Sequence, residues 1–237
     1  QLYPSSLQEA TGGAGRGNSL LVFGRPEVGK SLFWINLCGG FLHDGHRVLV
    51  IENEDPVNTT LSRIVSRISS RTIFEVMKDI QGTQDIVKRG GYDNLFLKSL
   101  SPGTFSEING LIDRYKPDIL IINQLRNLAV GNGEKVSTME KAATGARNLA
   151  KKHDILVVSV TQAGDSASGK LVLDMSDIDS SKTGMPAQMD LIVGVGSNED
   201  FEANGRRMLS LSKNKLSGNH SFFPVGVDVQ TNKVISL

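Results

Sequence analysis

In the stretch Gly24-Arg25-Pro26-Glu27-Val28-Gly29-Lys30-Ser31, two glycines frame four residues and are followed by a lysine and a serine. That spacing suits one task, holding the phosphates of a nucleotide. Glycine permits backbone angles that aim successive N–H groups at an anion. A helix starting directly afterwards adds the positive end of its dipole. In the pattern Gly-x-x-x-x-Gly-Lys-Ser the lysine reaches the β- and γ-phosphates and the serine hydroxyl binds Mg²⁺. These roles fall to Lys30 and Ser31, with Gly24, Arg25, Pro26, Glu27, Val28 and Gly29 as the cradle. The expected cofactors are ATP, or another nucleoside triphosphate, and Mg²⁺.

Three further stretches carry residues that complete such a site. The apolar run Asp118–Asn123 ends where phosphate-loop enzymes place an acid that holds Mg²⁺ through water. Here that residue is Asn123, and Asp118 lies at the far end of the run, about 17 Å away by strand rise. An asparagine offers a neutral carbonyl oxygen. The expectation is a weakened magnesium position, natural or introduced to trap bound nucleotide. On this reading an aspartate at 123 raises turnover about tenfold. The sequence Glu52-Asn53-Glu54-Asp55-Pro56 follows another apolar run, and a glutamate there can deprotonate an attacking water. Glu52 and Glu54 share one face of an extended chain, so periodicity does not separate them. The plainer alternative is a solvated acidic turn. Gln162 closes Ser159-Val160-Thr161-Gln162, where a polar side chain beside Asn123 can sense a γ-phosphate; the alternative is a turn-forming glutamine.

The elements that position these residues alternate. Leu20–Phe23, Arg47–Glu52, Leu95–Lys98, Asp118–Asn123, Ile155–Val160 and Leu191–Val195 read as strands. Ser31–His43, Val57–Ser69, Phe105–Tyr115 and Met139–His153 read as helices, with apolar residues at helical spacing in Leu61, Ile64, Val65 and Ile68. Continuous apolar strands between helices predict an α/β fold with a mostly parallel central sheet flanked by helices. After Val195 the pattern changes. Arg207–Lys213, Ser221–Val229 and Val234–Leu237 predict antiparallel strands added at the C-terminal side. Ala129–Ser137 and Gly164–Gly184 read as loops, the second long enough to expect a function for it.

The bulk numbers set limits. The 237 residues suffice for a substantial core, and a net charge of +1 excludes a protein that coats nucleic acid with its whole surface. Any contact with DNA must use a local strip. The lone cysteine, Cys38, has no internal partner, which fits a reducing, cytoplasmic compartment and a small buried side chain. No apolar run approaches the roughly 20 residues of a membrane span. The chain begins at Gln1, and the expectation is one ATPase domain over residues 1–237 whose N-terminal domain and linker are absent.

Taken together, the motifs resemble the ATPase domain of DnaB-type hexameric replicative helicases, within the RecA-like group of phosphate-loop NTPases, over nearly the whole chain. Thr11-Gly12-Gly13 and the Arg-Pro inside the phosphate loop resemble that family's "TGG…RPxxGK[ST]". Glu54-Asp55-Pro56 resembles its "EMP" or "EMS", which implies Glu54 rather than Glu52 as the residue that activates water. Gln162 falls on the "SQ" ending its fifth core strand. Met175-Ser176-Asp177-Ile178, with Gly184, Gln188 and Asp190 after it, looks like the segment forming a DNA-gripping loop in the ring's channel. Ser212-Lys213-Asn214-Lys215 resembles "AKNR", whose cations reach a neighbour's γ-phosphate. The resemblance therefore implies Lys213 and Lys215 as trans-acting catalytic cations. It also implies Lys170, Asp179, Ser180 and Lys182 at the DNA loop, with Arg126 and Lys135 as further DNA contacts.

The departures are Asn123 for the family's aspartate, Lys215 for its arginine, and Asp179–Thr183 without the family's arginine. Viral relatives drift in these ways, so a host cytoplasm is one setting. Implied partners are single-stranded DNA, further copies in a hexameric ring, and a primase or N-terminal domain; a membrane is not among them. The implied activity is a replicative helicase motor. Two alternatives stay open: a RecA-type recombination ATPase, and a nucleotide-binding module with weak catalysis, which Asn123 and Lys215 favour.

Overall fold

The computed structural model describes residues 1–89, 92–131, 135–179 and 184–237, without the side chains of Lys135 and Val136. A nine-stranded sheet runs through it in the order β3-β2-β4-β5-β1-β6-β7-β8-β9. The strands are β1 (Ser19–Gly24), β2 (Val48–Glu52), β3 (Leu95–Ser99), β4 (Ile119–Asn123), β5 (Leu156–Gln162), β6 (Leu191–Gly196), β7 (Arg206–Asn214), β8 (Phe222–Asp228) and β9 (Lys233–Ser236). β1 to β6 are mutually parallel, and β7, β8 and β9 continue the sheet antiparallel, as the sequence predicts.

Nine α-helices are described: α1 (Ser5–Thr11), α2 (Lys30–His43), α3 (Val57–Ser69), α4 (Ile73–Lys78), α5 (Ile80–Arg89), α6 (Phe105–Tyr115), α7 (Lys135–His153), α8 (Gly184–Ala187) and α9 (Glu199–Ala203). α7 begins inside the stretch that the sequence reads as a loop up to Ser137.

Strand alternation divides the core. Leu20, Val22, Val48, Val50, Ile121 and Val158 face α2, where Phe33, Trp34, Leu37 and Phe41 meet them. Leu21, Phe23, Leu49, Ile51, Leu120 and Ile122 face α6 and α7, through Ile108, Ile112, Ala143 and Ala146. β1 is buried along its full length because helices cover both faces. α2 is apolar almost all round because α3, β9 and the N-terminal segment close its outer side. Asn36 on α2 accepts from Arg67 Nε of α3 at 2.6 Å and from the Val234 amide of β9 at 3.2 Å. At Gly40 any Cβ would lie 2.0 Å from Tyr3 Cδ2, so only glycine fits there. Cys38 is buried on the same helix, and burial pushes its thiol up to about 12. No helix among the described residues is long and apolar enough to cross a membrane.

Candidate nucleotide site

The ends of β1, β2, β4 and β5 lie side by side on the C-terminal edge of the parallel sheet, which is where ligands of wound α/β folds sit. The phosphate loop leaves β1 at Gly24 and enters α2 at Lys30. Gly29 caps that helix with φ at +102°, an angle that a side chain would strain. No acidic residue occupies the first turn of α2, so its dipole is open to an anion. Lys30 is only 7% exposed, and its Nζ donates to the Arg25 carbonyl at 2.6 Å. Burial lowers its pKa to about 8; Glu54 opposes that shift and Arg126 adds to it. Glu54 and Arg126 therefore both lie close enough to act on the Lys30 charge.

Beside the loop lies a cavity of about 320 Å³ lined by Glu27, Gly29, Lys30, Ser31, Leu32, Arg63, Val229 and Asn232. Arg63 is steered there by an ion pair with Asp55 at 3.0 Å. Arg25 is turned to the opposite side, where it pairs with Asp165 at 2.7 Å. Arg207 Nε donates to the Val28 carbonyl at 2.6 Å and braces the loop from β7. Sequence reasoning does not single out Arg207, because only the antiparallel return of β7 brings it to the loop.

The two glutamates that periodicity leaves equivalent have different surroundings. Glu52 is completely buried and accepts from the amides of Glu54 and Asp55, each at 3.0 Å. Glu54 is exposed, and the Gln124 side-chain amide donates to its Oε1. The turn is latched to the end of β4: the Asn53 amide donates to the Asn123 carbonyl at 2.8 Å, and Asn53 Nδ2 donates to the Gln124 carbonyl at 3.0 Å. Such an arrangement holds a carboxylate at the mouth of the site with a free oxygen for a water.

Asn123 is 1% exposed, and its Oδ1 is buried without a donor. The Ser31 hydroxyl would hold a magnesium ion, and Asn123 Oδ1, at the end of β4 one strand removed from β1, is the acceptor that a magnesium-bound water would use. Among the described residues no cluster of three or more His, Cys, Asp or Glu side chains could hold a metal by itself. Mg²⁺ would come with the phosphates and rest on Ser31 and Asn123.

Gln162, at the end of β5, accepts from Arg126 at 2.7 Å. Arg126, read from sequence as a DNA contact, is thus placed at the rim of the nucleotide site; it also lies 3.9 Å from Asp179. Lys170 does not stand free on a basic strip: its Nζ is 2.8 Å from Asp177, whose carboxylate is fully buried. That pairing also holds the Lys170 ammonium above its usual pKa. Asp179 opens the candidate DNA loop, with its amide bonded to the Gln162 carbonyl at 3.2 Å. Ser180 and Lys182 lie outside the described residues. The backbone of Lys135 begins α7, and its side chain lies outside them too.

Lys213 and Lys215 are remote from their own chain's phosphate loop. Gly24 pairs with Val195 near the C-terminal end of β6, whereas Lys213 pairs with Ile192 near its start. The separation along β7 from Met208, opposite Gly196, to Lys213 is about 17 Å by strand rise. Lys213 donates to the Pro186 carbonyl, and burial, then Lys215, lower its pKa. Lys215 is exposed.

No protein-family model matches the chain. The DNA repair protein RadA of Chlamydia trachomatis serovar D is 27% identical over 176 residues, covering 70% of this chain and 33% of that protein. The chain thus spans about a third of the length of that curated relative. Among solved structures, the ATPase domain of G40P matches with a TM-score of 0.86 at 15% identity, covering 98% of this chain and 89% of that one. A DnaB-like replicative helicase, described with its interactions with primase, also matches at 0.86 and 15%, covering 98% of this chain and 60% of its own. The order of parallel strands, the phosphate loop between β1 and α2 and the antiparallel C-terminal strands thus form the RecA-like fold of DnaB-type helicase ATPase domains.

Proposed function

We propose that residues 1–237 form the motor of a ring-shaped replicative DNA helicase, which hydrolyses ATP or another nucleoside triphosphate at seams between copies and moves single-stranded DNA. The observation that carries this reading is the distance of Lys213 and Lys215 from their own phosphate loop, while Lys30, Glu54 and Gln162 gather around it. A site with its cis residues in place and its extra cations on the far edge of the sheet is completed by a second copy.

In this reading Lys30 leaves the Arg25 carbonyl for the β- and γ-phosphates. Glu54, oriented by Gln124, takes the proton of the attacking water. Gln162 contacts the γ-phosphate and reports its presence to Arg126. Lys213 and Lys215 of a neighbour offset charge growing on the phosphoryl oxygens, an effect that trans-acting cations can make worth about 10³–10⁵ in rate. Mg²⁺ on Ser31 and Asn123 would neutralise phosphate charge. Arg126 and the segment from Asp179 through Lys182 contact the DNA backbone, and binding should therefore be insensitive to sequence and weakened by salt. An N-terminal domain and a primase are the further partners, in a cytoplasmic or host-cytoplasmic setting.

Complementation tests the seam directly. Lys30→Ala copies keep their cations, and Lys215→Ala copies keep their pocket. Each alone should release phosphate at less than about a hundredth of the normal rate. Mixed, they should recover well above the sum of the two, more so with single-stranded DNA. No recovery, in mixtures shown to co-assemble, rejects the shared site. The RadA likeness supports one second reading, a recombination ATPase; electron microscopy with an ATP analogue and single-stranded DNA separates filaments from rings.

A further inference from the structure

Glu52 is the last residue of β2 and Asn123 the last of β4, paired in register on adjacent strands. Both are buried. Asn123 Nδ2 lies 3.0 and 3.1 Å from the two Glu52 oxygens. The carboxylate further accepts from the Glu54 and Asp55 amides and from the Thr60 hydroxyl at 2.8 Å. All of these donors are neutral dipoles. Asn123 presents its NH₂ group to both carboxyl oxygens. That fixes the amide and turns Oδ1 away, as the buried acceptor without a donor.

We propose that Glu52 supplies, through the Asn123 amide, the negative charge that phosphate-loop sites carry on the residue ending β4. The acid has moved one strand across the sheet, and Asn123 passes its polarisation to the magnesium-bound water. Glu52 is a positioning residue, acting through Asn123. Outer-sphere partners of this kind change metal affinity by about 10–100-fold. The inference rests on the nucleotide reading above. It also reverses the expectation from sequence for Asn123→Asp: with Glu52 in place, that change sets two buried carboxylates about 3 Å apart, a geometry in which like charges repel strongly.

The test is a double-mutant cycle with two readouts. One is the thermal midpoint of the nucleotide-free protein in EDTA. The other is the factor by which Mg²⁺ tightens binding of the non-hydrolysable analogue AMP-PNP. Asn123→Asp alone should lower the midpoint by roughly 5–10 °C and cut the magnesium factor about tenfold. The pair Glu52→Gln with Asn123→Asp swaps charge and amide while keeping complementary donors and acceptors. The carbonyl oxygen of the introduced glutamine takes the two backbone amides, and its NH₂ group donates to the introduced carboxylate on β4 and to the Thr60 hydroxyl, which rotates from donor to acceptor. The pair should restore both readouts to the wild-type level. Equal, additive effects in the cycle, or a larger magnesium factor for Asn123→Asp alone, overturn the inference while leaving the nucleotide reading intact. A wild-type protein with no magnesium factor overturns both.

Discussion

The Arg126 guanidinium donates to Gln162 Oε1 at 2.7 Å and lies 3.9 Å from the Asp179 carboxylate. One cation thus touches the end of β5, beside the phosphate loop, and the residue that opens the long segment toward α8. If that segment contacts DNA, Arg126 is placed to relay between strand and nucleotide. Arg126→Ala should reduce the DNA-stimulated part of phosphate release about tenfold, more than it reduces the unstimulated part. Equal losses in both would mark Arg126 as a plain contributor to the site.

Lys30 gives a pH signature. Burial places its pKa near 8 in the free protein, and phosphate oxygens require its charged form. Below about pH 8 the lysine is already charged, and nucleotide affinity should be flat with respect to this group. Above it, binding must take up a proton, and affinity should fall by up to about tenfold per pH unit. Calorimetry in two buffers of different ionisation heat would detect that uptake. Lys30→Arg should abolish the slope, because guanidinium stays charged throughout.

The ion pair between half-buried Arg147 on α7 and buried Asp190 before β6 makes a stability prediction. Arg147 reaches both Asp190 oxygens at 3.0 Å, and Asp190 also accepts from the Ser19 amide at the start of β1. Arg147→Ala leaves a carboxylate buried beside β1 and should cost about 3–5 kcal/mol in denaturant unfolding. Arg147→Ala with Asp190→Asn should recover part of the loss, since the asparagine still accepts from Ser19.

Two glycine substitutions should act with opposite sign. Gly40→Ala drives a methyl into the Tyr3 ring and should destabilise by about 1–3 kcal/mol. Gly110, inside α6 and exposed, has nothing within 4 Å of an added Cβ. Gly110→Ala should stabilise by about 0.5–1 kcal/mol, through helix propensity and a less flexible unfolded chain. Thermal melts of the two variants should move in opposite directions.

What the sequence reveals, and what it hides, follows from how local each signal is. α3 and α6 appear at the boundaries read from periodicity, because their apolar stripes face the core. α4 and α5 escape that reading altogether. On α4, Phe74 is 75% and Met77 72% exposed, and Ile80 at the start of α5 is exposed too, so the apolar residues where these helices meet mark no core face. The phosphate loop is legible because its chemistry sits in consecutive residues. The separation of Glu52 from Glu54 is not: an extended chain would put both on one face, whereas β2 ends at Glu52, buried in register with Asn123, and Glu54 lies in the exposed turn beyond it. Arg207 likewise acquires its place from the direction of β7. Lys170 reads as a free charge until Asp177 is found beneath it.

The two-edged layout of the sheet, with the pocket at one margin and Lys213 and Lys215 at the other, has a consequence for assembly. If those lysines serve a neighbour's pocket, as proposed, a head-to-tail contact repeated from copy to copy serves every pocket alike. Such contacts either close on themselves or run on as a helix. A series that fails to close ends in one idle pocket and one idle pair of lysines, and every complete series has a built-in sense of rotation.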